Sequence, residues 1–203
     1  MPRGATAPDD QAAASPLTET FVSGQQVFKG VLLDVRRDVI RLPDGRSATR
    51  EYVVHPGAVV VVPILDDGRL VMERQFRYPI GRVMLEFPAG KLDAGEAPLV
   101  CAQRELAEET GYRAAEWALA GVMHNAMAYS TEGLHILFAR CLRGGVRALD
   151  DGEVLDVSLM HEADVDAAAA RGELTDAKTL VALLWLQKWR AGAWPLHWFT
   201  APL

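Results

Sequence analysis

Gly90–Tyr112 is the stretch that decides the fold, and it reads GKLDAGEAPLVCAQRELAEETGY. The pattern predicts a helix over residues 97–110, on which Glu105, Glu108 and Glu109 stand at i, i+3 and i+4 and share one face. Like charges this close repel one another unless something positive lies among them. Hard divalent cations such as Mg²⁺ take oxygen ligands of this kind. The helix therefore predicts a cation site.

The same glutamates are also compatible with an ordinary solvated helix face. In that interpretation Arg104 is a surface ion-pair partner, although on a helix it points to a neighbouring face and compensates the carboxylates only in part. The opposite helix face is apolar, so the helix is expected to pack on a core: Leu99, Ala102 and Leu106. The helix pattern by itself leaves both interpretations open.

The spacing of the flanking residues separates the two interpretations. Gly90 is followed after five residues by Glu96, and after seven more by the run Arg104-Glu105-Leu106-x-Glu108-Glu109-x-Gly111. This spacing matches the Nudix box, so the chain resembles the Nudix hydrolase family. The family pattern closes with a bulky aliphatic residue where this chain has Tyr112, a conservative change because that position packs. Gly111 suits the left-handed residue that ends a helix.

The resemblance extends to the ADP-ribose pyrophosphatase branch of the family and covers roughly residues 25–190. Three further segments carry it: Glu73–Pro79, Leu85–Lys91 and Gly172–Thr179. It implies an α/β fold, the Nudix α/β/α sandwich with a mixed β-sheet, preceded by a small antiparallel N-terminal β unit. It also implies hydrolysis of ADP-ribose to AMP and ribose 5-phosphate with Mg²⁺, with Mn²⁺ as the alternative ion.

The resemblance assigns roles to the box residues. Carboxylates at the positions of Glu105 and Glu109 bind the cations, together with the backbone carbonyl at the position of Ala89. Glu108 matches a third acidic position that supports or shares a metal. Arg104 matches an arginine that orients the metal-binding glutamates, and Glu96 matches a residue that stabilises the helix.

A general base is expected in an acidic loop beyond the box. ADP-ribose enzymes supply this base from a mobile loop, and Asp150-Asp151-Gly152-Glu153 lies at the matching place. Glu153 is the first candidate, as base or as a further metal ligand, and Asp151 is the second. The loop is equally an ordinary polar turn in composition, because Asp-Gly is typical of turns.

Three residues are candidates for substrate binding. Arg77 resembles an arginine that reaches the phosphates, a role that suits a bidentate guanidinium, although a surface arginine at a strand end is the alternative. Glu132 resembles a loop acid near the terminal ribose. Tyr129 either stacks on a ring or packs. Adenosine-selective relatives tend to carry a proline where this chain has Met127 or Ala128, which weakens the expected sugar and base preference.

The N-terminal part is expected to form a separate β unit. Strands are predicted at Gln25–Asp34, Asp38–Leu42 and Ser47–His55, with Pro43-Asp44-Gly45 as a hairpin turn. Three short strands bury little by themselves and need a partner surface. The expected domains are a mobile tail at 1–16, an N-terminal β subdomain at 17–55 and the Nudix domain at 56–203.

The resemblance also implies a homodimer in which the N-terminal unit helps to enclose the adenine. Candidates for that contact are Phe28 and the pair Arg36-Arg37.

Further elements are predicted in the Nudix domain. Ala58–Ile64 is a continuous apolar run, typical of a strand buried on both faces, and Leu70–Arg77 is expected to pair with it. Further strands are expected at Trp117–Met123, Leu134–Leu142 and Val154–Met160. The last two helices are expected at about Glu162–Arg171 and Asp176–Trp189, with Thr175 as the cap of the second. Trp194 and Trp198 are expected to fold back on the surface.

Composition excludes several other classes of protein. The 203 residues carry a formal net charge of −6, which argues against a nucleic-acid binder. No run of about 18 apolar residues is present, so no membrane span and a cytoplasmic location are expected. Cys101 and Cys141 have apolar neighbours and are expected to be reduced packing residues.

Two alternatives to ADP-ribose hydrolysis stay open. One is hydrolysis of another nucleoside diphosphate sugar, such as GDP-mannose or ADP-glucose. The other is a regulator that senses ADP-ribose without cleaving it, and the box glutamates and the missing basic appendage argue against it.

Overall fold

The computed structural model describes residues 15–202. The predicted tail at residues 1–16 falls almost wholly outside this range. The chain divides into two compact units, the first ending at Val54 and the second beginning at His55.

The first unit is a three-stranded antiparallel sheet in the order β1-β2-β3. Its strands are β1 (Thr20–Lys29), β2 (Asp34–Arg41) and β3 (Ser47–Val54). The predicted turn at residues 43–45 is confirmed, and Gly45 has a φ of 86° there, which favours glycine.

The predicted strand Gln25–Asp34 is wrong. Gly30 donates its N–H to the carbonyl of Leu33, and this bond closes a turn inside the predicted strand. Asp34 therefore opens the second strand, four residues before the predicted start at Asp38.

The second unit contains eight strands and three helices in the described residues. Its elements are β4 (Ala58–Pro63), β5 (Leu70–Arg77), β6 (Arg82–Glu86), β7 (Ala89–Lys91), α1 (Pro98–Thr110), β8 (Tyr112–Met123), β9 (Leu134–Gly144), β10 (Leu155–Met160), α2 (Glu162–Ala170), α3 (Ala177–Arg190) and β11 (Phe199–Thr200).

A five-stranded mixed sheet forms the centre of this unit, in the order β11-β8-β9-β4-β7. β4 runs parallel to β9, and the other pairs are antiparallel. Val60 and Val62 pack in a core cluster with residues of α3, whereas Val59 and Val61 pack in another with residues of α1. The two-sided burial of β4 is confirmed, and the alternation gives a sheet covered by a helix on each face.

The predicted pairing of Leu70–Arg77 with Ala58–Ile64 is wrong. Only one isolated bridge, from Ile64 to Leu70, joins the two segments. β5 instead forms a second, antiparallel sheet in the order β10-β5-β6. The physical reason is that a strand has two edges, and both edges of β4 are occupied, by β9 and β7.

The helices begin and end close to the expected residues. α1 starts at Pro98 and is capped after Thr110 by Gly111. The φ of Gly111 is 76°, which is left-handed, and its N–H donates to the carbonyl of Ala107. Thr175 does not cap α3, so that prediction is wrong. Asp176 is the cap and accepts the N–H of Thr179 at 3.0 Å, because a carboxylate in the position just before the helix reaches that orphan donor.

The C-terminal segment folds back on α3, as expected. Trp194 contacts Trp185 with ring centroids 4.7 Å apart, and Trp198 contacts Trp189 at 5.5 Å. The guanidinium of Arg140 lies 4.0 Å from the Trp198 ring centroid.

The two cysteines differ in their environments. Cys101 is buried, as expected of a packing residue, and burial raises the pKa of its thiol to about 12. Cys141 is exposed and has a positive φ of 56°, so the packing prediction is wrong for it. Cys141 lies near the C-terminal end of β9, beyond Ala139, the last residue of β9 that pairs with β4.

No helix among residues 15–202 is long and apolar enough to cross a membrane. The cytoplasmic location stays a prediction.

Candidate active site

The box carboxylates converge on the backbone of β7. A Cβ added to Gly90 would lie 1.9 Å from the carboxylate of Glu105, so only glycine allows this approach. One turn further along α1, Glu109 accepts the N–H of Ala89 at 3.1 Å. Glu105 and Glu109 therefore lie against the strand that carries the Ala89 carbonyl implicated by the family resemblance.

Arg104 connects three carboxylates. Its Nε and Nη2 donate to both oxygens of Glu96 at 3.0 and 2.9 Å, and its Nη1 donates to Glu105 at 2.7 Å and to Glu108 at 3.1 Å. The expectation that Arg104 compensates the box carboxylates only in part is confirmed, because its single positive charge is shared among Glu96, Glu105 and Glu108 and makes no bond to Glu109. These bonds fix the orientation of Glu105 and Glu108.

A second group of charges lies on β5 and β6. Glu86 is buried and accepts two bonds from Arg77, at 2.8 Å each. It also contacts Lys178, whose ammonium lies 3.0 Å from Asp176. Two N–H donors of Arg77, the predicted phosphate ligand, are thus bound by a buried carboxylate. A guanidinium has five donors in all, so others remain for a phosphate.

Two carboxyl groups of the site are almost completely buried. Glu73 is 3% exposed and Glu109 is 4% exposed. Burial, followed by the charge of Glu73, raises the pKa of Glu109 well above its usual range. Burial, followed by the charge of Glu86, raises the pKa of Glu73 in the same way.

The residues fit a divalent cation, although their side chains are not arranged as a complete shell. Among residues 15–202 no group of three acidic, histidine or cysteine side chains converges as a ligand set. Glu105 and Glu108 are turned towards Arg104. The donors themselves, carboxylate oxygens beside a backbone carbonyl, are those that hard cations take, and a buried oxygen of Glu73 has no hydrogen-bond partner.

The candidate general base lies near these carboxylates. Burial and the charges of neighbouring glutamates, including Glu153, raise the pKa of Glu105. Glu153 makes the same kind of contribution to the pKa of Glu109, where burial is again the larger cause. Glu153 is partly buried and its N–H closes a turn on Asp150, whereas Asp151 is exposed. The structure therefore brings Glu153, rather than Asp151, within electrostatic reach of the box.

A cleft of about 250 Å³ opens beside β7. Its walls include Arg77, Ala89, Gly90, Lys178 and Glu132. The cleft thus joins the predicted phosphate ligand to the predicted ribose ligand.

Two other loop residues stand apart from the cleft. Tyr129 is largely exposed and is not among the residues that line it. Met127, at the position of the missing proline, is also exposed. The structure therefore does not bring Tyr129 into the cleft.

The adenine candidates of the N-terminal unit have separate environments. Phe28 is exposed. Arg36 pairs with Asp34, and Arg37 pairs with Glu51.

Sequence reasoning gave no role to Glu73, Glu86 or Lys178. One signal was available for Glu73, because it directly follows the apolar run Leu70-Val71-Met72 on a strand. A carboxylate directly after such a run either marks the end of the strand or is buried with it. Glu86 and Lys178 could be recognised only from the contact between β6 and α3.

Comparison with known proteins identifies two matching families. Residues 54–183 match the NUDIX domain. Residues 19–53 match the nucleoside diphosphate sugar hydrolase N-terminal domain.

The chain is also similar to individual proteins over most of its length. An ADP-ribose pyrophosphatase of Bacillus subtilis (strain 168) is 36% identical over 84% of this chain and 94% of its own. A methanol dehydrogenase activator of Bacillus methanolicus is 34% identical over 83% of this chain and 92% of its own. A crystal structure of ADP compounds hydrolase shares the fold, with a TM-score of 0.78 and 24% identity over 89% of this chain and 98% of that one.

Replacing Glu96 tests the anchoring of Arg104. The side-chain bond from Arg104 lowers the pKa of Glu96 to about 2, from an ordinary value near 4.5. This stabilisation is complete above pH 4.5 and is lost as the pH falls towards 2. Glu96→Gln should destabilise the fold at pH 7 by about 1 kcal/mol, because it removes a charge-assisted hydrogen bond whose strength is reduced by solvent screening. Urea unfolding of both proteins at pH 7, 5, 4 and 3 checks it, and a difference that does not narrow below pH 4.5 would contradict this assignment.

Proposed function

The chain belongs to the Nudix hydrolase family, and from this we propose that it adds water across the pyrophosphate of ADP-ribose to give AMP and ribose 5-phosphate. One observation supports the chemistry above all others. The carboxylates of Glu105 and Glu109 meet the backbone of β7 at the wall of a cleft that also contains Arg77. The adenosine diphosphate part of the proposal is supported by similarity to an ADP-ribose pyrophosphatase over 84% of the chain.

Nudix hydrolases depend in general on a divalent metal ion. We propose that this chain uses Mg²⁺, with Mn²⁺ as the alternative, held by Glu105, Glu109 and the Ala89 carbonyl, with Glu108 in support. When bound, such an ion neutralises phosphate charge and makes water more acidic. Arg104 contributes by orienting Glu105 and Glu108, because its donors hold one oxygen of each.

The remaining residues position the substrate and move a proton. Arg77 binds the pyrophosphate through the donors that Glu86 does not occupy. Glu132 faces the terminal ribose from the other wall of the cleft, whereas Tyr129 lies outside the cleft and receives no role here. Glu153 accepts the proton of the attacking water as the new phosphorus–oxygen bond forms and the bridging oxygen leaves.

Another nucleoside diphosphate sugar is the second candidate substrate. The exposed Met127 at the position of the missing proline favours it, because the adenosine-selective pattern is absent there. ADP-glucose and GDP-mannose represent this alternative.

The experiment that tests the function is a substrate panel with and without Mg²⁺. ADP-ribose should give AMP and ribose 5-phosphate only when Mg²⁺ is present, at a higher kcat/KM than ADP-glucose or GDP-mannose. Glu109→Gln should lower kcat about 10²- to 10³-fold, the usual effect of removing one electrostatic stabiliser. Glu116→Gln, a change on the far strand β8, is the matched control. Equal turnover by Glu109→Gln would overturn the metal assignment, and a preference for GDP-mannose would overturn the substrate.

Glu153→Gln tests the general base. It should lower kcat about 10²- to 10⁴-fold with a small change in KM, because a base acts in the transition state. Asp156→Asn, an exposed change on the adjacent strand β10, should leave kcat unaltered. Full turnover by Glu153→Gln would contradict this assignment and show that the loop is an ordinary polar turn.

We further propose that the chain is a homodimer through its N-terminal β unit. Exposed apolar residues of that unit support the proposal, since a monomer would leave them in water: Val22, Phe28, Val31 and Leu32. Light scattering after size exclusion should give about 44 kDa, twice the chain mass of 22.2 kDa. Val31→Asp with Leu32→Asp should shift the mass to one chain, whereas Val146→Asp in the second unit should not. A wild-type mass of one chain would refute the dimer.

A further inference from the structure

Glu73 is a buried carboxylate that no described residue satisfies. It follows three fully buried residues of β5 and is itself 3% exposed. Its Oε1 is buried without a hydrogen-bond partner, and no residue of the described chain forms an ion pair with it. Leaving a buried polar group unpaired costs free energy, and a charged one costs more. An unpaired carboxylate in this position therefore needs an explanation.

The surroundings of Glu73 increase this cost. Glu86 lies directly opposite it in the β5–β6 ladder, and like charges in that relation destabilise a sheet. The nearest cations are already bound, because Arg77 and Lys178 both hold Glu86. They offset the repulsion only in part, and Glu73 is left without a cation of its own.

Glu109 shares this property. It is 4% exposed, accepts one N–H from Ala89 and has no ion pair within residues 15–202. The charge of Glu73 raises the pKa of Glu109, after burial as the larger cause. Two buried carboxylates within electrostatic reach of each other thus lack two positive charges.

We propose that Glu73 is a further ligand of the divalent cation, supplied by β5 from outside the box. The proposal rests on the metal-dependent function proposed above and extends its ligand set by one carboxylate. An ion of charge +2 balances Glu73 and Glu109, and its preference for oxygen ligands explains why a buried carboxylate oxygen lacks a hydrogen-bond donor. A purely structural carboxylate would instead be paired with an arginine or lysine, as Glu86 is.

The test measures Mn²⁺ binding and stability, without turnover. Free Mn²⁺ is followed by electron paramagnetic resonance during titration of the full chain, and Tm is measured with the metal removed and added. Glu73→Gln should bind Mn²⁺ about tenfold more weakly, or with one site fewer, than the wild type. Its metal-free Tm should equal or exceed that of the wild type, because a buried carboxyl group without a hydrogen-bond partner has been removed. Its rise in Tm with Mn²⁺ should be smaller.

Three further variants separate the outcomes. Glu73→Leu, an apolar residue of similar size, should give the same weaker binding if Glu73→Gln does not fold. Glu116→Gln should bind as the wild type does, and Glu109→Gln should lose binding.

Wild-type affinity in a folded Glu73 variant, with binding lost in Glu109→Gln, would overturn this inference and leave the proposed function intact. A lower metal-free Tm with unchanged Mn²⁺ binding would make Glu73 a structural residue. No Mn²⁺ binding by the wild type would refute both proposals.

Discussion

The carboxylate of Glu105 lies so close to the backbone of Gly90 that no side chain fits between them. This contact depends on the packing below it, because β7 pairs with the buried strand β4, and α1 packs on the same strand through Leu106. A glycine in the strand therefore sets how near the helix can approach. Since the same approach brings Glu109 to the Ala89 N–H, the placement of both candidate metal ligands on α1 follows from it.

The distribution of charge explains the rest of the site. Arg104 holds Glu96 and Glu105, and Arg77 with Lys178 holds Glu86. Buried ion pairs contribute little net stability, because desolvation opposes their attraction. Such an arrangement is costly for folding, which agrees with the proposed site for a cation and an anionic substrate.

Local patterns predicted much of this arrangement, and non-local contacts explain the failures. The limits of α1 and the two-sided burial of β4 follow from residues within those elements. The partner of β5 did not follow, because it depends on which strands already occupy the edges of β4. The single strand predicted across Gly30–Leu33 is instead a local failure, because apolar residues continue through the turn that Gly30 and Leu33 close and so hide it.

By itself, the sequence determined the box helix, its three carboxylates on one face and the glycine that must precede them, because these depend on spacing along one chain segment. Only the tertiary structure decided that Glu73 is buried without a partner, that Glu86 takes both nearby cations and that Glu153 lies within electrostatic reach of α1. The physical reason is that periodicity tells which face of an element a side chain occupies. What stands opposite that face is decided by residues far away in the chain.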